Sequence, residues 1–236
     1  MSEISSENIC SRLLRELGGA YPSSLGINLG SMVSEEVFKW FIASILLGAR
    51  IDEDIAAMNT YRIIERAGVL SVKAVMETGR AGMVDILNKS GYIRCNHKIA
   101  TKLLKTTGVL NEKYGGDLNR LYFFAKGGKD LENKLQNLGK DINTVTVSIF
   151  LRGLRDVWDK VQLPLSIPAL LAARNLGLTN STEASAALEE LKAIWEQDEI
   201  RLSDLEAGLM KLGENYCRQN KCPVCPMRES CKNHWK

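Results

Sequence analysis

Residues 217–231 read CRQNKCPVCPMRESC, which sets Cys217, Cys222, Cys225 and Cys231 in a C-x4-C-x2-C-x5-C spacing, with a proline after each middle cysteine. Four thiols this close together, in a proline-bearing loop, can wrap one metal centre, and thiolates favour zinc or an iron–sulfur cluster. The competing arrangement is two disulfides. It fits an oxidising compartment, whereas the opening stretch MSEISSENICSRLLRE is acidic and polar where a signal peptide is basic and then apolar. A cytoplasmic setting is therefore expected, where thiols stay reduced. Between the two metals, a zinc ribbon usually pairs two C-x-x-C knuckles across a longer insert. Here there is one such knuckle and all four ligands fall within fifteen residues. That compactness favours a 4Fe–4S cubane over zinc.

The same end of the chain carries the charge. The whole chain has a net charge of +3, yet residues 217–236 hold five basic side chains and one acidic, so the remainder is slightly negative. Arg218 and Lys221 sit inside the cysteine loop and are candidates for facing phosphates. The 236 residues, 45% hydrophobic, are enough for one large domain or two small ones. No apolar run approaches eighteen residues, so no membrane span is expected.

The apolar residues recur at helical spacing nearly throughout. A first helix runs to about Leu17, with Ile9, Leu13, Leu14 and Leu17 on one face. Gly18, Gly19, Pro22 and Gly26 mark an irregular link. From Ser34 the stretch VFKWFIASILL is apolar on almost every side and predicts a central buried helix ending at Gly48. Further helices are expected from about Asp54 to Ala67, Val72 to Glu77, Gly82 to Lys89 and His97 to Tyr114, the last capped by Asn96. No stretch alternates at period two, so the class is all-α.

Residues 131–150, LENKLQNLGKDINTVTVSIF, predict a short helix ending near Leu135, a tight turn at Asn137, Leu138 and Gly139, and a second helix from about Lys140. Asn and Gly tolerate left-handed backbone at low cost. A turn into a helix N-terminus exposes N–H groups that suit a phosphate, with Lys140 adding a charge. An ordinary αα-hairpin is the plainer reading.

This hairpin, followed by the four-cysteine loop in an all-helical chain, resembles the helix–hairpin–helix DNA glycosylases of the endonuclease III type over nearly the whole length. Leu135-Gln136-Asn137-Leu138-Gly139 falls on the family's L-P-G-V-G, with Asn137 for its first glycine. Leu46-Leu47-Gly48-Ala49-Arg50 is similar to its LLSAQ-like segment. Leu170 to Leu178, LLAARNLGL, is similar to the segment after its catalytic aspartate. The cysteine loop departs in its first gap, four residues rather than six.

The resemblance implies a two-domain helical fold with a DNA cleft between the domains. A barrel of helices over 25–135 is expected, with a second domain of 1–24 plus 136–236 holding the cluster loop 217–231. It also implies a 4Fe–4S cluster, a double-stranded DNA partner that is damaged or mismatched, no membrane association, a monomer, and nucleoid association in a prokaryote. Arg50, Asn137, Gly139, Lys140, Arg218 and Lys221 are the expected DNA contacts. Arg50 stands where the family has a glutamine that fills the gap left by a flipped base.

The resemblance breaks at the chemistry. Family members flip a base and cut its glycosidic bond. Bifunctional ones use a hairpin lysine as nucleophile, and nearly all use an aspartate about twenty-five residues later. Here Asp141 takes the lysine position and Ser166 the aspartate position. A carboxylate cannot form a Schiff base, and it should keep any neighbouring amine protonated. A hydroxyl lends no full charge to an oxocarbenium-like centre. Lys140 is one residue, about 100° of helix, off the lysine position. Asp156 and Asp159 lie upstream of Ser166 and are alternative carboxylates. Asp141 itself is the candidate catalytic carboxylate. Two readings stand side by side: a monofunctional glycosylase with a rearranged site, unlike a lyase, and a non-catalytic DNA-binding relative. His97 is expected on an exposed helix start, and Trp158 is the tryptophan nearest the expected cleft.

Overall fold

A computed structural model of the chain describes residues 6–49, 54–90, 96–198 and 200–233. All regular structure among them is helical. The α-helices are α1 (Ser6–Leu17), α2 (Tyr21–Ser24), α3 (Ser34–Leu47), α4 (Asp54–Arg66), α5 (Val72–Asn88), α6 (Asn96–Tyr114), α7 (Leu118–Phe124), α8 (Gly128–Gln136), α9 (Thr144–Gly153), α10 (Ile167–Leu176), α11 (Ala184–Asp198) and α12 (Leu202–Leu212). Short 3-10 turns and one π-helical turn, Gly213–Cys217, complete the set. Among the described residues, no helix is long and apolar enough to cross a membrane. The chain divides into two compact units, Leu25–Val161 and Met1–Ser24 with Gln162–Lys236. The division expected from the sequence differs in residues 136–161, which pack with the helices of 25–135 because α9 lies against α3.

In the unit Leu25–Val161, α3 is the centre. Val37, Phe38, Trp40, Phe41, Ile42, Ala43, Ser44, Ile45 and Leu46 are all buried along it, which is how a helix apolar on every side must be used. It packs on α4, α6, α7 and α9. The contact with α9 is close. A Cβ at Gly48 would come within 3.0 Å of Thr146 Cα, and one at Gly153 within 2.6 Å of Trp40 Nε1. Trp40 Nε1 donates to the Phe150 carbonyl at 2.9 Å, so its one polar group is satisfied inside the core. Ser71 and Asp117 cap α5 and α7 by accepting from Ala74 N and Asn119 N.

The two short helices expected over 72–89 are one element, α5, kinked at Gly79, where φ is 63° and ψ −177°. That backbone region is essentially restricted to glycine, and another residue held there is strained by about 1–3 kcal/mol. A stiffer unfolded chain returns ~0.4–1 kcal/mol. Gly79→Ala is therefore expected to lower stability by about 1–2 kcal/mol. Urea denaturation measures it, and an unchanged midpoint would show that α5 straightens without cost.

The hairpin differs from its expectation in three ways. α9 begins at Thr144, not near Lys140, because the Asn143 side chain accepts from Thr146 N at 2.8 Å and caps it there. Leu138 and Ile142, both buried, draw the intervening turn onto the core, and Ile142 N closes it on Gly139 O at 2.9 Å. Asn137 is right-handed, φ −74° and ψ −2°, and Gly139 is not among the positive-φ residues. The glycine is needed for space: a Cβ at Gly139 would stand 2.8 Å from Thr106 Oγ1 on α6.

In the other unit, α1 packs on α11 and α12, and α10 packs on α11, α12 and the π turn. Ile9, Cys10 and Leu13 of α1 join Ala169, Ala172, Ala173 and Leu176 of α10 and Leu205, Leu209 and Leu212 of α12 in one core. The irregular link after α1 is tied to α12. Lys211 Nζ donates to the Gly19 carbonyl at 2.8 Å, and Asp204 Oδ1 accepts from Ala20 N at 2.8 Å. α10 starts at Ser166, whose hydroxyl accepts from Ala169 N, and stops at Gly177 in left-handed conformation.

Candidate metal centre

Cys217, Cys222, Cys225 and Cys231 line one cavity of about 290 Å³. Each is placed by a short turn. Cys217 ends the π turn that continues α12, Cys222 opens the 3-10 turn Cys222–Val224, and Cys231 follows the 3-10 turn Arg228–Ser230. π turns within helices recur at functional sites because they offset the chain by one residue. The four-residue gap closes through Asn220, left-handed at φ 52°, with Lys221 N on Tyr216 O at 3.0 Å. Asn is the residue besides glycine that takes this backbone at least cost. Met227, fully buried, roots the loop in the core of its unit.

Two other elements hold the loop. From α1, Arg12 donates to the Pro226 carbonyl at 3.2 Å and to Glu229 Oε2 at 3.0 Å. From α10, the Asn175 carbonyl accepts from Lys232 N at 2.7 Å, and its side-chain oxygen accepts from Asn233 Nδ2 at 2.8 Å. Leu171, Asn175 and Tyr216 form the protein side of the cavity. Sequence reasoning assigned neither Arg12 nor Asn175 a role at the cysteines: Asn175 stands there only as part of the LLAARNLGL segment, and only the folded chain brings both to the loop.

The donor set fits a metal group. None of the four cysteines is in a disulfide. Burial pushes the Cys217 thiol up, a hydrogen bond from the Asn175 side chain works against that, and the other three sulfurs push it further up. Burial likewise pushes Cys225 up, opposed by a hydrogen bond from the Met227 backbone. Four thiolates gathered here repel one another, and a cation relieves that cost. Among the described residues, no three His, Cys, Asp or Glu side chains are drawn tightly enough round a point to grip one ion.

The basic residues of the loop are less available than their number suggests. Arg218 pairs with Glu214 at 2.8 Å. Lys232 lies across Gly177, with its Nζ 3.4 Å from that carbonyl. Arg228 lines the cysteine cavity. Lys221 is exposed.

The remaining candidates are dispersed. Asn137, Lys140 and Asp141 are exposed around the α8–α9 turn. The N–H groups of Asn137, Leu138, Gly139 and Ile142 are engaged by carbonyls of the hairpin itself, so those four are not open to a phosphate. Asp141 raises the Lys102 amine of α6, as a carboxylate should, but it is outweighed. Burial lowers the Lys102 amine below its usual range, and the Asp141 charge only opposes this. Ser166 is the α10 cap rather than a poised reactive group. Asp159 accepts from the Tyr122 hydroxyl. Trp158 is fully buried, stacked on Tyr122 with ring centroids 4.7 Å apart, and is no base-stacking platform. His97 is exposed at the start of α6. Arg50 lies outside the described residues. A scan against protein-family models and a search of curated proteins each return no match for the chain.

Proposed function

We propose that the chain is a DNA-binding protein of the helix–hairpin–helix glycosylase type, with a 4Fe–4S cluster held by Cys217, Cys222, Cys225 and Cys231. The observation that carries this reading is the convergence of the four thiols on one cavity at the end of an all-helical chain. One zinc ion would need its sulfurs about 3.8 Å apart, from Zn–S bonds of ~2.3 Å in a tetrahedron. A cluster spreads them over a larger body, and the compact C-x4-C-x2-C-x5-C loop supports that reading. When bound, the cluster would cross-link the loop at four points and fix the backbone that carries Lys221.

Base excision in this setting is hydrolysis: water bonds to the sugar C1′ while the base leaves with the electron pair and takes up a proton. The step needs a carboxylate near C1′. Asp141 is the residue of the hairpin that can supply one. The second reading, a DNA-binding relative without this chemistry, is favoured by the engagement of Ser166 as a helix cap. Incubation with a panel of lesion-bearing duplexes, with and without alkali, separates them. Release of any base that is lost in Asp141→Asn supports the enzyme; duplex affinity without release supports the relative; absence of both refutes the family reading.

Two further outcomes are expected. Lys221→Ala should flatten the log–log salt dependence of duplex binding by roughly 0.9, the loss of one phosphate contact, and an unchanged slope would place Lys221 away from DNA. Borohydride should trap no covalent complex with abasic-site DNA, because a carboxylate holds the nucleophile position. Trapping that vanished in Lys102→Ala would overturn this and identify the α6 amine as the nucleophile.

A further inference from the structure

We infer that Asn175 is a positioning residue of the cysteine centre, whose side-chain amide donates to Cys217 Sγ and so sets both the retention and the reduction potential of the cluster. The inference rests on the cluster reading above. Three bonds define the residue. Its Oδ1 is engaged by Asn233 Nδ2 at 2.8 Å, which leaves the NH₂ group as the part of the amide that can meet the Cys217 sulfur across the cavity both residues line. Its main-chain oxygen is held by Lys232 N at 2.7 Å. That oxygen is one of the end carbonyls of α10 that no turn of the helix can satisfy. Asn175 is thus fixed at both ends, by the residues that follow Cys231, with its donor facing the first ligand of the set.

A fixed N–H donor to a ligand sulfur withdraws electron density from it. It favours the state of the centre with more negative charge, so it raises the potential, and hydrogen bonds to sulfur are one of the levers by which proteins tune such clusters. The donor also keeps the sulfur in place once the loop breathes. Residues that orient metal ligands typically change metal affinity by about 10–100-fold when removed. Asn233 acts on the same device at one remove, because it prevents the amide from turning its oxygen to the sulfur.

The test uses the full chain, anaerobically reconstituted with iron and sulfide, in three forms: unaltered, Asn175→Leu and Asn233→Ala. Asn175→Leu is expected to release iron to a chelator roughly ten-fold faster or more, and to shift the reduction potential to more negative values. Asn233→Ala is expected to shift both in the same direction by less. If Asn175→Leu fails to load iron, the smaller change in Asn233→Ala still decides. A lowered melting temperature with potential and release rate unchanged in both variants overturns the inference, since it leaves Asn175 only a packing role. An unaltered protein that takes up no iron overturns the cluster reading itself, a result that the two variants do not influence.

Discussion

Cys222→Ser is expected to strip the purified protein of its brown colour and of most of an iron content near four per chain. A serine hydroxyl is not a thiolate, and three sulfurs leave one iron of a cubane unligated. The effect on the chain should be local. Within the loop the backbone bonds are all short-range, such as Cys225 N to Cys222 O at 3.2 Å and Cys231 N to Arg228 O at 3.2 Å. What remains is Arg12, Asn175 and the buried Met227, enough to tether the loop but too few to order every turn of it. Limited proteolysis should therefore cut between residues 218 and 233 in the variant, while the unit Leu25–Val161, with a core of its own around α3, keeps its protection. A colourless unaltered protein carrying a single zinc would sink the cubane, and equal iron in both forms would remove Cys222 from the ligand set.

The helices were legible in the sequence because they rest on periodicity. Residues 37–46 had no polar face to offer solvent, apart from Lys39, so α3 had to be central. The kink in α5 was visible as a gap between two short helices, but not as the single Gly79 that makes it. The hairpin was misjudged where local and tertiary forces compete. Gly139 and Lys140 look like the end of a turn and the start of a helix. The backbone instead follows the burial of Leu138 and Ile142 and the cap at Asn143. The pairing of the charges was hidden for a related reason. Counting basic residues near the cysteines says nothing about Arg218 meeting Glu214 or Lys232 folding over Gly177. Lys102 shows the converse. Its depressed amine arises from burial on α6 beside a turn some forty residues away, and no spacing rule announces it.

Gly213→Ala should be the most damaging small substitution in the unit that carries the cysteines. Gly213 opens the π turn that leads to Cys217, and α10 crosses it at backbone distance. A Cβ there would lie 2.5 Å from the Pro168 carbonyl carbon and 2.9 Å from Pro168 Cα. These are main-chain atoms in the first turn of α10, so no rotamer change relieves the overlap; the two helices must part. Overpacking typically costs 1–3 kcal/mol and occasionally more, and a clash with backbone on both sides belongs at about 3 kcal/mol or above. Gly208 is the internal control. Its Cβ would meet the Leu13 side chain at 3.2 Å and the Leu14 side chain at 3.5 Å, both of which can give way, and alanine in a helix regains ~1 kcal/mol over glycine. Gly208→Ala is therefore expected to be close to neutral. Hydrogen exchange should show α10 and α12 losing protection in Gly213→Ala while α3 and α9 keep theirs. Iron retention should fall with them, because the proposed ligand Cys217 hangs four residues beyond the displaced crossing. Equal stability of the two alanine variants would mean that α10 and the π turn are not in backbone contact.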